Sequence, residues 1–354
     1  MSTDKRVRVG IVGLGRSGWG IHAASLQNPA AAAKYRVVAV TDPIQARVDE
    51  AKSAFGCRAY SGLQGLLADK EVELVVVATY NHEHAEHSIA AMHAGKDVLG
   101  EKPMATSLAD ADRMLAAAKE TGRLLTFNHN MRFTPQVRKI REVIDSGKLG
   151  EIILIKLAGH SFRRRWDWQT LKAFGGGEMN NNASHFVDTA LQLLGEGMPR
   201  VSSDLRRTPL CAGDAEDHVK ITLYAPDGPA ADIEVTNAAA ISAEPYLIMG
   251  TQGGLAGNSE KLRWRYFDPA MLVERQPSGE PTPDRGYNRE DVPWQEESWE
   301  RGKESGSGYV ALYLDLYETL RHGKPLAITA ESVRRVIAVL EECRKQSALY
   351  GGGR

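Results

Sequence analysis

The chain has 354 residues, enough for two domains at about 150 residues each. Its 44 Lys and Arg balance 45 Asp and Glu, a net charge of −1, which lacks the basic excess expected of a nucleic-acid binder. With 42% apolar and 25% charged residues, the collagen-like, disordered and membrane-spanning classes are excluded. The opening residues run straight into Val7–Val12 without an apolar h-region, so no secretory signal is expected. Cys57, Cys211 and Cys343 are odd in number and far apart, which matches neither zinc spacing nor a disulfide framework. A cytoplasmic protein without a metal, a membrane or a nucleic-acid partner is the expectation.

In chain order, Val7–Val12, Arg36–Val40, Glu73–Thr79, Asp97–Leu99 and Leu124–Phe127 predict strands. Helical patterns at Pro43–Phe55, His84–Ala94 and Leu108–Thr121 lie between them. Such alternation with short connections predicts a parallel sheet covered on both faces. Beyond Thr134-Pro135 a helix over Gln136–Ser146 stops at Gly147. Ile152–Leu157, Val201–Leu205, Val219–Tyr224, Asp232–Val235, Tyr246–Gly250 and Lys261–Tyr266 then predict strands with few helices between the later ones. That order predicts an antiparallel sheet. Residues 273–308, rich in Pro, Gly and charge, predict a long surface loop, and helices over Tyr309–Arg321 and Ser332–Ser347 close the chain. The expected architecture is an α/β domain over 1–130 followed by an α+β domain over 131–354.

Gly13-Leu14-Gly15-Arg16-Ser17-Gly18 directly follows the first strand and opens a helix. In that context Gly13 permits a tight turn, Gly15 admits a pyrophosphate to the backbone, and Gly18 allows close packing. Arg16 and Ser17 lie at the helix N-terminus, where phosphates bind. The motif predicts a Rossmann-type dinucleotide site. Asp42, at the end of the second strand, is placed to accept from a ribose 2′-hydroxyl and to repel a 2′-phosphate, favouring NAD over NADP.

Thr79-Tyr80-Asn81-His82-Glu83-His84 and Glu101-Lys102-Pro103 end two further strands, on the carboxyl edge where ligands bind. An ammonium at Lys102 can stabilise charge developing on a reacting oxygen. Gly175 to Asp188 combines a triple-glycine break with a helix whose Asn181, His185, Asp188 and Gln192 fall on one polar stripe. Val187, Ala190, Leu191 and Leu194 form its opposite, core-facing side. His185 suits proton exchange near neutrality. Ser161-Phe162-Arg163-Arg164-Arg165-Trp166-Asp167-Trp168 offers arginines for an acidic group and tryptophans for a sugar ring.

Together with Ala94-Gly95-Lys96-Asp97-Val98, Arg132-Phe133-Thr134-Pro135 and Gly147-Lys148-Leu149-Gly150-Glu151-Ile152, these segments resemble the Gfo/Idh/MocA family of oxidoreductases over about half the chain. The resemblance implies a Rossmann domain plus a C-terminal domain with a large open, mostly antiparallel sheet, and assembly as a homodimer or homotetramer. It implies hydride exchange between nicotinamide and a hydroxyl-bearing carbon of a sugar, polyol or sugar derivative. In that reading Thr79, Asn81, His84 and Glu101 line the cofactor and Lys102 touches cofactor and substrate. His185 is the acid/base, Asn181 orients the hydroxyl, and Asn130, Arg163, Arg165 and Trp168 face the substrate. Asn181 departs from the aspartate usual in the family, and Tyr80 replaces a usual proline. A glycosidase or lyase with transient sugar oxidation, or a non-catalytic NAD-binding regulator, are the alternatives.

Overall fold

The computed structural model describes residues 5–302 and 306–352. The first six strands are β1 (Val7–Val12), β2 (Tyr35–Thr41), β3 (Arg58–Ala59), β4 (Leu74–Val77), β5 (Asp97–Gly100) and β6 (Leu125–Phe127). They pair in parallel in the order β3-β2-β1-β4-β5-β6. This is the doubly wound dinucleotide-binding order, whose ligand crevice opens where the winding reverses, between β1 and β4. β4 is buried along its length, which explains an apolar run that does not alternate.

The second sheet holds β7 (Ile152–His160), β8 (Arg200–Arg206), β9 (His218–Tyr224), β10 (Ala230–Thr236), β11 (Tyr246–Gly250), β12 (Gly253–Gly257), β13 (Lys261–Tyr266) and β14 (Gln295–Glu300). Their order is β14-β13-β12-β11-β7-β10-β9-β8. The sheet is mostly antiparallel, with β7 and β10 paired in parallel. Helices Ser184–Leu194 and Ala330–Lys345 cover one face. The other carries ion pairs, Lys156–Asp232 at 3.6 Å, Lys220–Asp232 at 2.5 Å and Lys220–Glu234 at 3.2 Å.

Three strands go beyond the sequence expectation. β3 is only two residues long. β12 carries no strand-like apolar pattern, since three of its five residues are glycine. Its neighbours crowd it so closely that a Cβ at Gly253 would lie 2.3 Å from the Arg265 carbonyl oxygen, and one at Gly257 2.1 Å from that of Lys261. β14 falls inside the stretch expected to be loop. It is a charged edge strand, Gln-Glu-Glu-Ser-Trp-Glu, paired with β13 and carrying the Lys261–Glu300 contact at 2.8 Å. Edge strands tolerate such polarity because one side of the ladder faces water.

Helix Gly308–His322 returns to the first sheet. The Tyr35 hydroxyl donates to the Tyr313 carbonyl at 2.7 Å, and Arg321 reaches Glu73 at 2.9 Å. Tyr313 is itself buried, with its hydroxyl 2.8 Å from His22 Nδ1. Among the described residues the three cysteines are buried and free, and no helix is long and apolar enough to cross a membrane. Tyr313→Phe strips His22 of this partner and leaves a buried ring nitrogen unsatisfied. Urea unfolding should show a loss of about 1–3 kcal/mol; an unchanged midpoint would mean that the contact contributes nothing.

Candidate active site

The glycine loop is shaped by contact. Gly13 has φ +88°, and a Cβ there would lie 2.5 Å from the Ala78 carbonyl oxygen. A Cβ at Gly18 would sit 1.9 Å from the oxygen of Gly13. Gly15, by contrast, faces open space, and only Arg47 Nη1 comes within 3.9 Å of an added Cβ. The result is a cradle over the first turn of a helix, whose amides have no intrahelical acceptor. A dinucleotide pyrophosphate fits that cradle. Asp42 ties the loop to β2: Oδ2 accepts from the Leu14 amide at 2.7 Å, Oδ1 from the Ile44 amide at 2.9 Å, and Arg47 lies 3.5 Å away. These contacts leave the carboxylate almost without exposed surface, with Arg47 on its outer side.

A cavity of about 240 Å³ opens beside the loop at the carboxyl edge of the first sheet. Arg16 and Ser17 line it from the loop, Thr79, Asn81 and His84 from beyond β4, and Glu101 and Lys102 from beyond β5. Asn130 enters from beyond β6. The opposite wall belongs to the second sheet's side: Arg163, Arg165 and Trp168 follow β7, Asn181 comes from the turn Met179–Ala183, and His185 from the first turn of helix Ser184–Leu194. Residues far apart in sequence thus share one chamber, with Gly13, Gly15, Gly18 and Asp42 outside its lining.

Glu101 is buried and accepts from His22 Nε2 at 3.1 Å, from the Asn128 amide at 2.9 Å and from the Lys102 backbone N–H at 3.0 Å. Burial alone would raise its pKa; the His22 contact, the Lys102 charge and the Asn128 bond outweigh that and hold it at about 2. Because an ionised carboxylate only accepts, His22 Nε2 is the donor in this contact, and its Nδ1 is held by the Tyr313 hydroxyl. His84 Nδ1 lies 2.8 Å from the Pro103 carbonyl and Nε2 3.3 Å from that of Thr79. It locks the ends of β4 and β5 together, and burial lowers its pKa. Asn81 spends its amide on the Gly175 carbonyl at 2.8 Å, fixing the triple-glycine turn.

Lys102 Nζ donates to the Asn181 carbonyl and lies 3.5 Å from Asn181 Oδ1. Burial lowers its pKa, aided by Arg16 and Arg165 and opposed by Glu101 and Glu178. The Asn181 amide donates to Glu178 at 3.4 Å, a buried carboxylate that also receives Asn182 at 2.6 Å and Asn237 at 3.0 Å. His185 has its pKa lowered well below 6.5, first by burial and then by Lys102 and His129. Its Nδ1 is buried without a hydrogen-bond partner among the described residues. The His129 ring packs edge-on against it, with centroids 5.8 Å apart.

The polar stripe on this helix is not solvated at Asp188. That carboxylate is fully buried, bound by Arg132 Nε at 2.9 Å and Nη2 at 2.5 Å, with His129 Nδ1 3.6 Å away. The spacing that places a residue on a helix face does not say whether another element covers that face. Glu178, Asn128, His129 and Tyr309 were not singled out from sequence. Asn128 and His129 adjoin a strand end and could have been found there. Tyr309 lines the cavity from helix Gly308–His322, and no local pattern signals that.

Residues 7–129 match the model of an oxidoreductase family with an NAD-binding Rossmann fold, and residues 137–256 match the Gfo/Idh/MocA C-terminal domain. A 1-carboxy-3-chloro-3,4-dihydroxycyclohexa-1,5-diene dehydrogenase of Comamonas testosteroni is 35% identical over 57% of this chain and 51% of its own length. This chain therefore spans about half of that relative. A scyllo-inositol 2-dehydrogenase (NADP(+)) of Bacillus subtilis is 25% identical over 96% of this chain and 94% of its own. A 2,7-anhydro-N-acetylneuraminate hydratase of Escherichia coli is 30% identical over 70% and 67%. In fold, the chain is similar to an NAD-binding protein from Listeria innocua, with TM-score 0.78, 22% identity and coverage of 98% and 95%.

The Glu101 network has a pH signature. A carboxylate held at about 2 instead of 4.5 adds stability that is full above the unfolded pKa and is lost as pH falls through the folded one. Between about pH 5 and pH 2 the stability gap between wild type and Glu101→Gln should narrow by up to roughly 3 kcal/mol. Parallel acid-unfolding curves for the two proteins would show that Glu101 is not so held.

Proposed function

The chain belongs to the Gfo/Idh/MocA oxidoreductase family, and on that footing we propose that it is an NAD-dependent dehydrogenase acting on a hydroxyl-bearing carbon of a sugar, polyol or related ring. The observation that carries this reading is the convergence of Lys102, Asn181 and His185 on one cavity beside the glycine loop. Bound NAD supplies the hydride acceptor for the carbon that bears the hydroxyl.

The chain's own residues do the rest. The glycine loop with Arg16 and Ser17 binds the pyrophosphate, and Thr79, Asn81, His84 and Glu101 form the wall on the cofactor side. His185, kept neutral by burial, takes the hydroxyl proton. The Lys102 ammonium stabilises the oxygen as negative charge develops on it. Asn181, bonded to Lys102, orients the same hydroxyl. Asn130, Arg163, Arg165 and Trp168 line the substrate side. Asp42 favours NAD, since a 2′-phosphate would meet its carboxylate. Assembly through the open face of the second sheet, as a dimer or tetramer, completes the proposal, and the mass in solution tests it.

A redox-neutral elimination or hydration is the second reading, favoured by hydratases among the relatives. NADH release separates the two, because the second reading regenerates NAD in each cycle.

His185→Ala and Lys102→Met should each lower turnover by about 10²-fold or more, far more than they weaken NAD binding. Near-normal turnover in both would remove the assignment. With His185 below its ordinary pKa, the acid limb of the oxidation rate should lie below pH ~6.5, so an acid limb above that value contradicts the role. NAD should bind more tightly than NADP, and the reverse order in a titration would overturn the role given to Asp42.

A further inference from the structure

The segment after β7 is extended and stitched to the second sheet. The Arg163 amide donates to the Asn237 carbonyl at 3.0 Å, the Arg165 amide to that of Leu210 at 3.2 Å, and the Ala212 amide to the Arg165 carbonyl at 3.1 Å. Extended backbone sends alternate side chains to opposite sides. Phe162 and Trp166 are 60% and 80% exposed and Arg164 is exposed away from the cavity, while Arg163, also exposed, and the partly buried Arg165 line the cavity with Lys102 and His185.

These two arginines are not equivalent. Arg165 is already paired, with Asp167 at 2.8 Å and Glu178 at 3.7 Å. Arg163 holds its plane through Nε alone, which donates to Ser161 Oγ at 3.0 Å and to Asn237 Oδ1 at 3.2 Å. No carboxylate among the described residues forms an ion pair with it. Its two terminal nitrogens remain as a flat fork, the shape that receives a planar carboxylate through two parallel bonds. Arg16 also lacks an ion-pair partner among the described residues, but it stands on the glycine loop, where pyrophosphate charge would meet it. Arg163 stands on the opposite wall, across the cavity from the glycine loop.

We propose that the substrate carries a carboxylate and that Arg163 receives it end-on, placing the reacting hydroxyl between His185 and Lys102. The inference rests on the dehydrogenase reading of this cavity. The class is a hydroxy acid, of which the uronic acids are the simplest members that also carry the sugar-type hydroxyl.

The test titrates the protein–NADH complex, followed by NADH fluorescence, with three paired probes: glucuronate and glucose, galacturonate and galactose, cyclohexanecarboxylate and cyclohexanol. Glucose 6-phosphate is the anionic control. At least one carboxylate should bind about tenfold or more tightly than its neutral partner, as a charged hydrogen-bonded pair warrants. Arg163→Gln should abolish that preference, Arg163→Lys should keep part of it, and Arg164→Gln, which alters an outward-facing charge, should leave it intact. No preference for any carboxylate overturns the proposal, as does a preference that Arg164→Gln removes equally. Tighter binding of glucose 6-phosphate than of every carboxylate overturns the carboxylate assignment. Failure of NADH itself to bind would instead remove the dehydrogenase reading, so the two failures are distinct.

Discussion

Glu101, a carboxylate almost without access to water, gathers three parts of the chain around the end of β5. His22 reaches it from the helix after the glycine loop, Asn128 from beyond β6, and the backbone N–H of Lys102 from the next residue. Through His22 the network extends to Tyr313 on helix Gly308–His322. A buried carboxylate costs several kcal/mol unless its lone pairs are met, so these contacts hold only in one arrangement. That arrangement clamps the backbone from which Lys102 enters the cavity. The gain is less in stability than in position, because buried ionic networks roughly break even against apolar packing.

The same logic governs the departure at Asn181. An amide there cannot carry charge, yet it can relay it. Its oxygen faces Lys102 and its nitrogen donates to Glu178, a carboxylate held by two further asparagines. Negative charge therefore still lies near the lysine, set back by the length of one side chain. Glu178 opposes the loss of proton affinity that burial imposes on Lys102, which favours the ammonium form at the cavity wall. An aspartate at this position would place the charge in direct contact; the amide keeps the front of the site uncharged.

Much of this was legible in the sequence, for an identifiable reason. The glycine loop, Lys102 and His185 sit in short segments whose meaning depends on local geometry: a strand end, a helix start, a chain break. The parallel half of the fold followed from alternation of period and propensity. What stayed hidden depends on neighbours distant in sequence. β12 is a strand because β11 and β13 crowd it, and β14 is a strand because β13 offers it an edge. Asp188 falls on the helix side opposite the apolar positions, and nothing local shows that it is covered, because the Arg132 that covers it arrives from 56 residues away. Arg163 and Arg165 could be named as candidates, and the extended backbone supplies the reason that both line the cavity while Arg164 does not.

The pairing of His185 with Lys102 sets a condition on the proposed chemistry. A cation beside an imidazole makes protonation of that imidazole costly, and burial adds to the cost. Proton transfer to His185 in isolation would therefore be uphill. It becomes less so when the oxygen that loses the proton turns negative within reach of the same ammonium, because Lys102 then gains an anionic partner as His185 gains its charge. His129 offers no relief: its charged form would be a further cation beside His185, and burial, aided by Arg132 and opposed by Asp188, holds its pKa at about 4. Asp188 is already neutralised by Arg132. In the proposed chemistry the proton's departure is therefore coupled to charge development at the substrate oxygen, and a ligand without an ionisable hydroxyl at that point would leave His185 neutral.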